Sequence, residues 1–302
     1  MKRKLFLVFF VIIVASNVLN AKVHSNAGKS GFQFLKLPVS PGLAAMANTG
    51  EMFHSSPLTI FHHPAAFKWQ RGTTIAFSQT QWLVDTHMYN IAYRNVTLAR
   101  SFGIGVVYMD HGKFDKRVEN GDLVGNYYPM DLRATANYAF RLTPNIHLGA
   151  NLNLLYEKID TFSALGFSTD IGYVYLTPIR NTAFDFAVKN IGSSSKMDSE
   201  KIELPFIAEA GFSTGFDPNE FFAVYPSFKI AYMNDYDNLI PAIGVKTEIY
   251  DMLFLRAGYK VNYNEEDFSA GFGIHLNKIN IDYSYLNSDI SSIHMFGVEW
   301  EF

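Results

Sequence analysis

The chain has 302 residues, 48% of them hydrophobic and 16% aromatic, with a formal charge of −3 and no cysteine. A weakly acidic balance without a basic run excludes a charge-driven nucleic-acid surface, and the absence of cysteine excludes both a disulfide framework and a lipid-modified cysteine anchor. With 17 Tyr and 27 Phe, a mean hydropathy of +0.02 is the value expected when apolar and polar positions alternate along membrane-crossing strands.

At the N-terminus, Lys2-Arg3-Lys4 precede an uncharged apolar run from Leu5 to Ala15, the pattern of a secretory signal peptide. The run is shorter than the roughly 18 apolar residues a spanning helix needs. Cleavage after Ala21, or alternatively at Ser16, fits this pattern. Removal of residues 1–21 takes away three basic and no acidic side chains, and the formal charge moves from −3 to −6.

Residues 22–71 do not alternate. They begin polar (Lys22 to Ser30), turn apolar from Gly31 to Pro41, and continue through a small-residue stretch, Gly42 to Gly50, suited to a short helix or turn. Ser55-Ser56-Pro57-Leu58 and His62-His63-Pro64-Ala65-Ala66-Phe67 follow. A segment this apolar does not stay exposed, and a wide barrel needs filling, so residues 22–71 are expected to fold back as an N-terminal plug or hatch. His54, His62 and His63 invite a metal assignment, but adjacent residues of an extended segment point to opposite sides, and only Glu51 supplies a nearby carboxylate. No Gly-x-Ser-x-Gly elbow is present. No catalytic, cofactor-binding or metal residue is therefore assigned, and the chain is not expected to be an enzyme.

From residue 72 to 302 the period is two. Leu132, Ala134, Ala136, Tyr138 and Phe140 oppose Arg133, Thr135 and Asn137, and Ile279, Ile281, Tyr283 and Tyr285 oppose Asn280, Asp282 and Ser284. Fourteen strands are predicted, at 72–79, 86–94, 97–109, 130–141, 144–157, 164–175, 181–190, 202–213, 222–233, 239–249, 252–263, 267–276, 278–287 and 293–302. Ten tilted residues span about 25 Å, the height of the lipid-facing band. Connections after even-numbered strands are mostly tight (Asn95-Val96, Leu142-Thr143, Tyr250-Asp251, Asn277), whereas those after odd-numbered strands are longer, led by 110–129. That parity fits short periplasmic turns and long external loops, with 213–221 as the exception. The expected fold is all-β: a 14-stranded antiparallel transmembrane β-barrel with an N-terminal plug.

Facing follows from the alternation. Arg94, Arg133, Lys229, Lys246, Arg256 and Lys260 are expected to line the lumen with Asp170, Asp185, Glu209, Glu248, Asp282, Glu299 and Glu301. Mixed signs suit an ion-paired lumen around a plug better than an ion-selective pore. Arginine at Ile281 should meet lipid and impair assembly, whereas arginine at Ser284 should be tolerated better. In the last strand, Phe296, Val298, Trp300 and Phe302 share one face and Met295, Gly297, Glu299 and Glu301 the other. Only lipid can cover the first four.

Two resemblances follow from these residues. An alternating strand ending at Phe302 resembles the closing strand of bacterial outer-membrane barrels, whose terminal aromatic is part of the assembly signal. Phe34-Leu35-Lys36-Leu37-Pro38-Val39-Ser40, with Leu43-Ala44-Ala45-Met46 and His63-Pro64-Ala65, resembles the N-terminal signature of the PorV/PorQ family, which is related in fold to the FadL fatty-acid transporters. The family pattern has Arg where Gly42 stands, a Gly pair near Ala47-Asn48, and Asn-Pro-Ala in place of His63-Pro64-Ala65. The resemblance implies a FadL-like barrel in the outer membrane of a Gram-negative (diderm) bacterium, acting in or beside type IX protein secretion. Its partners would be outer-membrane lipid, the barrel assembly machinery, secretion components and secreted cargo, with no cofactor and no nucleic acid. The alternative is a FadL-like passive transporter of hydrophobic small molecules. A general water-filled porin is disfavoured by the plug segment.

Overall fold

The computed structural model describes residues 30–302 apart from 199, 220, 237, 264, 265 and 289. The expected signal peptide, residues 1–21, and Lys22–Lys29 lie outside the described residues. No helix among the described residues is long and apolar enough to cross a membrane. The strands do so instead.

Fourteen strands make the wall: β1 Gly72–Gln81, β2 His87–Val96, β3 Arg100–Asp110, β4 Met130–Thr143, β5 Ile146–Ile159, β6 Phe162–Leu176, β7 Thr182–Ser194, β8 Ile207–Thr214, β9 Phe222–Met233, β10 Ile240–Ile249, β11 Leu253–Lys260, β12 Phe268–Leu276, β13 Ile279–Leu286 and β14 Ile293–Glu301. Each pairs antiparallel with its sequence neighbours, and β1 pairs with β14 from Thr74↔Glu301 to Gln81↔His294, which closes the barrel. Closure leaves no open sheet edge in lipid, where an unpaired N–H or C=O would cost several kcal/mol. At the seam's end the Phe302 amide donates to Thr73 O at 2.9 Å.

The alternation sorts side chains as expected. On β4, Asp131, Arg133, Thr135, Asn137 and Ala139 are buried while Tyr138 is exposed. On β14, Ile293, Met295 and Glu299 are buried, whereas Phe296, Val298, Trp300 and Phe302 are 48–64% exposed.

Four local expectations are corrected. The expected strand 202–213 begins only at Ile207, because Pro205 cannot donate to a ladder and Leu204 instead turns inward to pack in the apolar cluster containing Phe32 and Leu155. β7 runs on to Ser194, past a bulge where the register jumps from Ile171↔Val188 to Thr169↔Ile191 and Asn190 takes φ 62°. The long connection near 213–221 is not a loose loop: Phe216–Asn219 pairs with the start of β9 as a short hairpin. Ser284 does face the lumen, but that lumen is filled and Ser284 is 0% exposed, so arginine there has no room and is not the tolerated change expected from sequence.

Ile281 lies on the lipid side at 42% exposure, with Ile274 and Val298 as its cross-strand partners. Ile281→Arg should lower stability by about 2–4 kcal/mol if the site is near the midplane, read by urea unfolding in lipid vesicles. An unchanged midpoint would refute the assignment of this face to lipid.

Candidate functional site

The lumen is occupied by the residues that precede β1. From Ser30 to Phe67 the chain is almost wholly buried, passing through one-turn helical elements at Gln33–Lys36, Pro41–Ala44, Glu51–Phe53 and Pro57–Phe61. Pro41 and Pro57 start two of these, where a missing N–H costs nothing. Inward-facing glycines let the wall approach this segment: a Cβ at Gly149 would sit 2.4 Å from Pro64 O, and one at Gly258 would sit 2.4 Å from Ala47 N.

Elements this short leave most of their backbone groups without partners of their own, and the wall supplies many of them. Ser78 Oγ donates to Val39 O (2.8 Å), Asn151 Nδ2 to Ile60 O (2.8 Å), Asn137 Nδ2 to Pro64 O (3.0 Å), Lys189 Nζ to His62 O (3.0 Å) and Lys246 Nζ to Phe53 O (2.8 Å). Arg94, buried over the Phe67 ring, donates to Thr59 Oγ1 (2.6 Å), Ser55 O (2.7 Å) and Ser56 O. Ser269 Oγ accepts from Ala47 N at 3.1 Å, and Ser227 Oγ meets Thr49 Oγ1 at 2.6 Å. Sequence reading expected inward charges. It did not find Asn137 or Asn151, whose partners lie more than seventy residues away, with no local signal.

Several of the other lumen-facing residues join ion pairs. Lys229 contacts Glu51 and lies 3.5 Å from Glu209, which Lys189 also approaches at 3.2 Å. Arg133 meets Asp170 (3.0 Å) beside Phe61, Arg256 meets Asp282 (2.6 Å), and Lys260 contacts Glu266. Glu299 is buried beside Asn280, whose amide lies 3.5 Å away.

The signature residues divide between the two ends of the segment. Phe34 and Leu35 join Phe32, Val39, Leu58, Ile60 and Phe61 in an apolar cluster against Met88, Met109 and Leu155 of the outer half of the wall. Leu37 is only partly buried, and Pro38 is buried. Ser40 Oγ lies 3.0 Å from His54 Nε2. His63-Pro64-Ala65 packs against Gly149 and Gly172. The histidine pair is structural: His62 Nε2 accepts from Val39 N and Ser40 N, while His63 Nδ1 accepts from Ala65 N and Ala66 N. Burial holds both below the ordinary histidine value, His63 at about 3. Their acceptor nitrogens are spent on backbone.

One pairing between neighbouring barrel strands stops well short of a strand's end. β7 and β8 are paired from Thr182↔Thr214 to Lys189↔Ile207, and β7 residues 190–194 continue without β8. There the chain after β7 closes the gap, with Asn190 Nδ2 donating to Pro205 O (2.7 Å) and Ser194 Oγ to Ile202 O (2.6 Å). Outside, an apolar hollow of about 890 Å³ crosses the lipid face over Ala134 and Ala136 and ends at Ile191–Ser193, on the same stretch of β7. Inside, a cavity of about 60 Å³ lies between Leu37, Phe61, Ile207 and Met233, and one of about 250 Å³ lies at the end of the lumen where β10 turns into β11 and β14 finishes.

This architecture recurs in solved structures. The CymD monoaromatic hydrocarbon channel superposes with a TM-score of 0.63 at 14% identity, covering 87% of this chain and 97% of its own. The Pseudomonas putida toluene transporter TodX gives 0.61 at 14%, with coverage of 87% and 97%. A Pseudomonas aeruginosa FadL homologue gives 0.50 at 12%, with coverage of 87% and 98%. The fold is FadL-like. No protein-family model matches the sequence, and no curated protein matches it either. At these identities the likeness concerns the barrel, not its cargo.

Within the FadL-like lumen, Lys229 holds the segment to the wall through Glu51. Lys229→Met should destabilise the barrel by about 3–5 kcal/mol, because it leaves a buried carboxylate without its cation. Adding Glu51→Gln should recover part of that loss in urea unfolding. Equal stability of wild type and the single variant would show that the pair does not tie the segment down.

Proposed function

We propose that this protein is a passive outer-membrane transporter of hydrophobic small molecules in a diderm bacterium, with residues 22–71 as its plug. The observation that carries this reading is the parting of β7 from β8 above Lys189. It is flanked outside by the apolar hollow ending at Ile191–Ser193 and inside by the phenylalanine-rich cluster under the mouth. On this reading an apolar solute passes by the cluster of Phe32, Phe34 and Phe61 and leaves sideways into lipid once residues 202–205 release β7, since the other end of the lumen is charged. The structural likeness to a hydrocarbon channel and a toluene transporter supports the same substrate class.

Transport on this reading requires the plug to shift, because the inner cavities are smaller than a connected path would be. Deletion of the gene should lower uptake of radiolabelled monoaromatic hydrocarbon or long-chain fatty acid several-fold. A Thr49→Cys/Ser227→Cys pair, built where the hydroxyls lie 2.6 Å apart in a chain without other cysteines, should block uptake when oxidised and restore it when reduced. Unchanged uptake on deletion would remove the transporter reading. Uptake persisting in the oxidised form would remove only the moving plug.

A second reading is a component or accessory of type IX secretion, favoured by the PorV/PorQ-like signature at Phe34–Ser40 and His63–Ala65. The structural likenesses lend more support to transport. Affinity capture from detergent-solubilised outer membranes should recover secretion components or cargo if the second reading holds, and only assembly machinery if it does not.

A further inference from the structure

We propose that His54, Asp282 and Glu299 form a binding site for a divalent transition-metal ion at the periplasmic end of the lumen. One ligand atom from each lies within 4.8 Å of the other two, and all three residues are buried. They come from separate places: His54 follows the turn Glu51–Phe53 in the lumenal segment, Asp282 is on β13, and Glu299 lies diagonally across from it on β14, opposite Asn280. One imidazole nitrogen and two carboxylate oxygens make a donor set suited to Zn²⁺ and related ions. At bonds of about 2.0–2.2 Å, donors on opposite sides of an ion lie about 4 Å apart, so the trio closes on one with rotamer adjustments alone.

The surroundings leave these donors available. Asp282 gives Oδ1 to Arg256 at 2.6 Å, and its Oδ2 faces the space over Gly42. A Cβ there would come 2.3 Å from His54 Cε1, 2.9 Å from His54 Nε2 and 3.2 Å from Oδ2, so the glycine lets the imidazole close on Asp282. Glu299 has a hydrogen bond from Ser56 and the long 3.5 Å approach of Asn280, with no cation bound to it as Arg256 is bound to Asp282. His54 is oriented by Ser40 Oγ at 3.0 Å from Nε2. Arg256 and the more distant Arg94 and Lys246 oppose a cation, and they limit its affinity.

A second, independent observation concerns charge. The 250 Å³ cavity beside the trio is lined by five carboxylates (Glu248, Asp251, Asp282, Glu299 and Glu301) and three cationic side chains (Lys68, Lys246 and Arg256), an excess of two negative charges. Asp251 and Glu301 are not buried, Glu248 pairs with Lys246 and Asp282 with Arg256, so Glu299 is the buried carboxylate of this cavity without an ion pair, and a buried unpaired carboxylate is the charge that a bound cation offsets. Asp251, in the turn between β10 and β11, and Glu301, at the last strand's periplasmic end, line the same cavity, so an ion enters from the periplasm rather than through the plug.

The test uses tag-free, folded protein in detergent, stripped with chelator and titrated with Zn²⁺ alone. One ion per chain should bind, and zinc-edge X-ray absorption should report nitrogen and oxygen ligands including an imidazole. His54→Gln and Glu299→Gln should each weaken binding at least tenfold while retaining the folded mobility of unboiled protein on gels. His111→Gln, in the outer loop after β3, should leave binding unchanged. Absence of binding by the wild type, a spectrum without imidazole, or equal affinity in both site variants would overturn the site. If both site variants fail to fold, the wild-type spectrum decides.

Discussion

The pairing of β1 with β14 is the constraint on which the rest of the molecule depends. In lipid a barrel has no water to satisfy an open edge, so the ladder must return to its start. Once the register Thr74↔Glu301 is set, the strand number is even, both strand ends sit on one side, and every side chain has its face decided by parity. The exposed run Phe296, Val298, Trp300 and Phe302 is then as necessary as the buried run Met295 and Glu299. Both follow from one strand lying between lipid and lumen.

Closure at fourteen strands creates a second problem, an interior too wide for wall side chains to fill alone. The lumenal segment fills it, but its short turns cannot satisfy their own backbone. This explains why the inner wall is polar. Asn137, Asn151, Ser78 and Arg94 face inward as hydrogen-bond partners for particular carbonyls and hydroxyls, not as the lining of an aqueous channel. The satisfaction is uneven along the axis. Near the mouth, Phe32, Phe34 and Leu35 pack in an apolar cluster, with the Phe32 amide donating to Glu157 at 2.6 Å and Lys36 paired with Asp235 at 2.9 Å. Around Thr49, Glu51 and Phe53 the ties are directional or ionic.

How much of this was legible in the sequence depends on the range of the interaction. A period of two is local, so strands such as Met130–Thr143 and Ile279–Leu286 and their facing could be read directly, and chain-end parity placed the long loops. Pro205 was also a readable signal that strand β8 starts late, yet the alternation of its neighbours masked it. The bulge at Asn190 depends on Asp170 Oδ1 accepting the Asn190 amide at 2.8 Å, a contact across strands that no window of sequence contains. Ser284 shows the same limit: its inward direction was legible, but the absence of space around it was set by residues some 240 positions earlier.

The trio at the periplasmic end is the extreme case. His54 sits in a histidine-rich stretch where His62 and His63 look equally suited to a ligand, and nothing local separates them. The structure does, through what each ring nitrogen already accepts. His62 and His63 spend a lone pair on two backbone amides each, whereas His54 meets a single hydroxyl, which can donate or accept. Asp282 and Glu299 share one hairpin, β13 and β14, but His54 reaches them from a segment more than 220 residues earlier in the chain. At Gly42 even a Cβ would overlap the His54 ring, so no side chain from that position reaches the carboxylates, and Glu299 is left for an exchangeable cation.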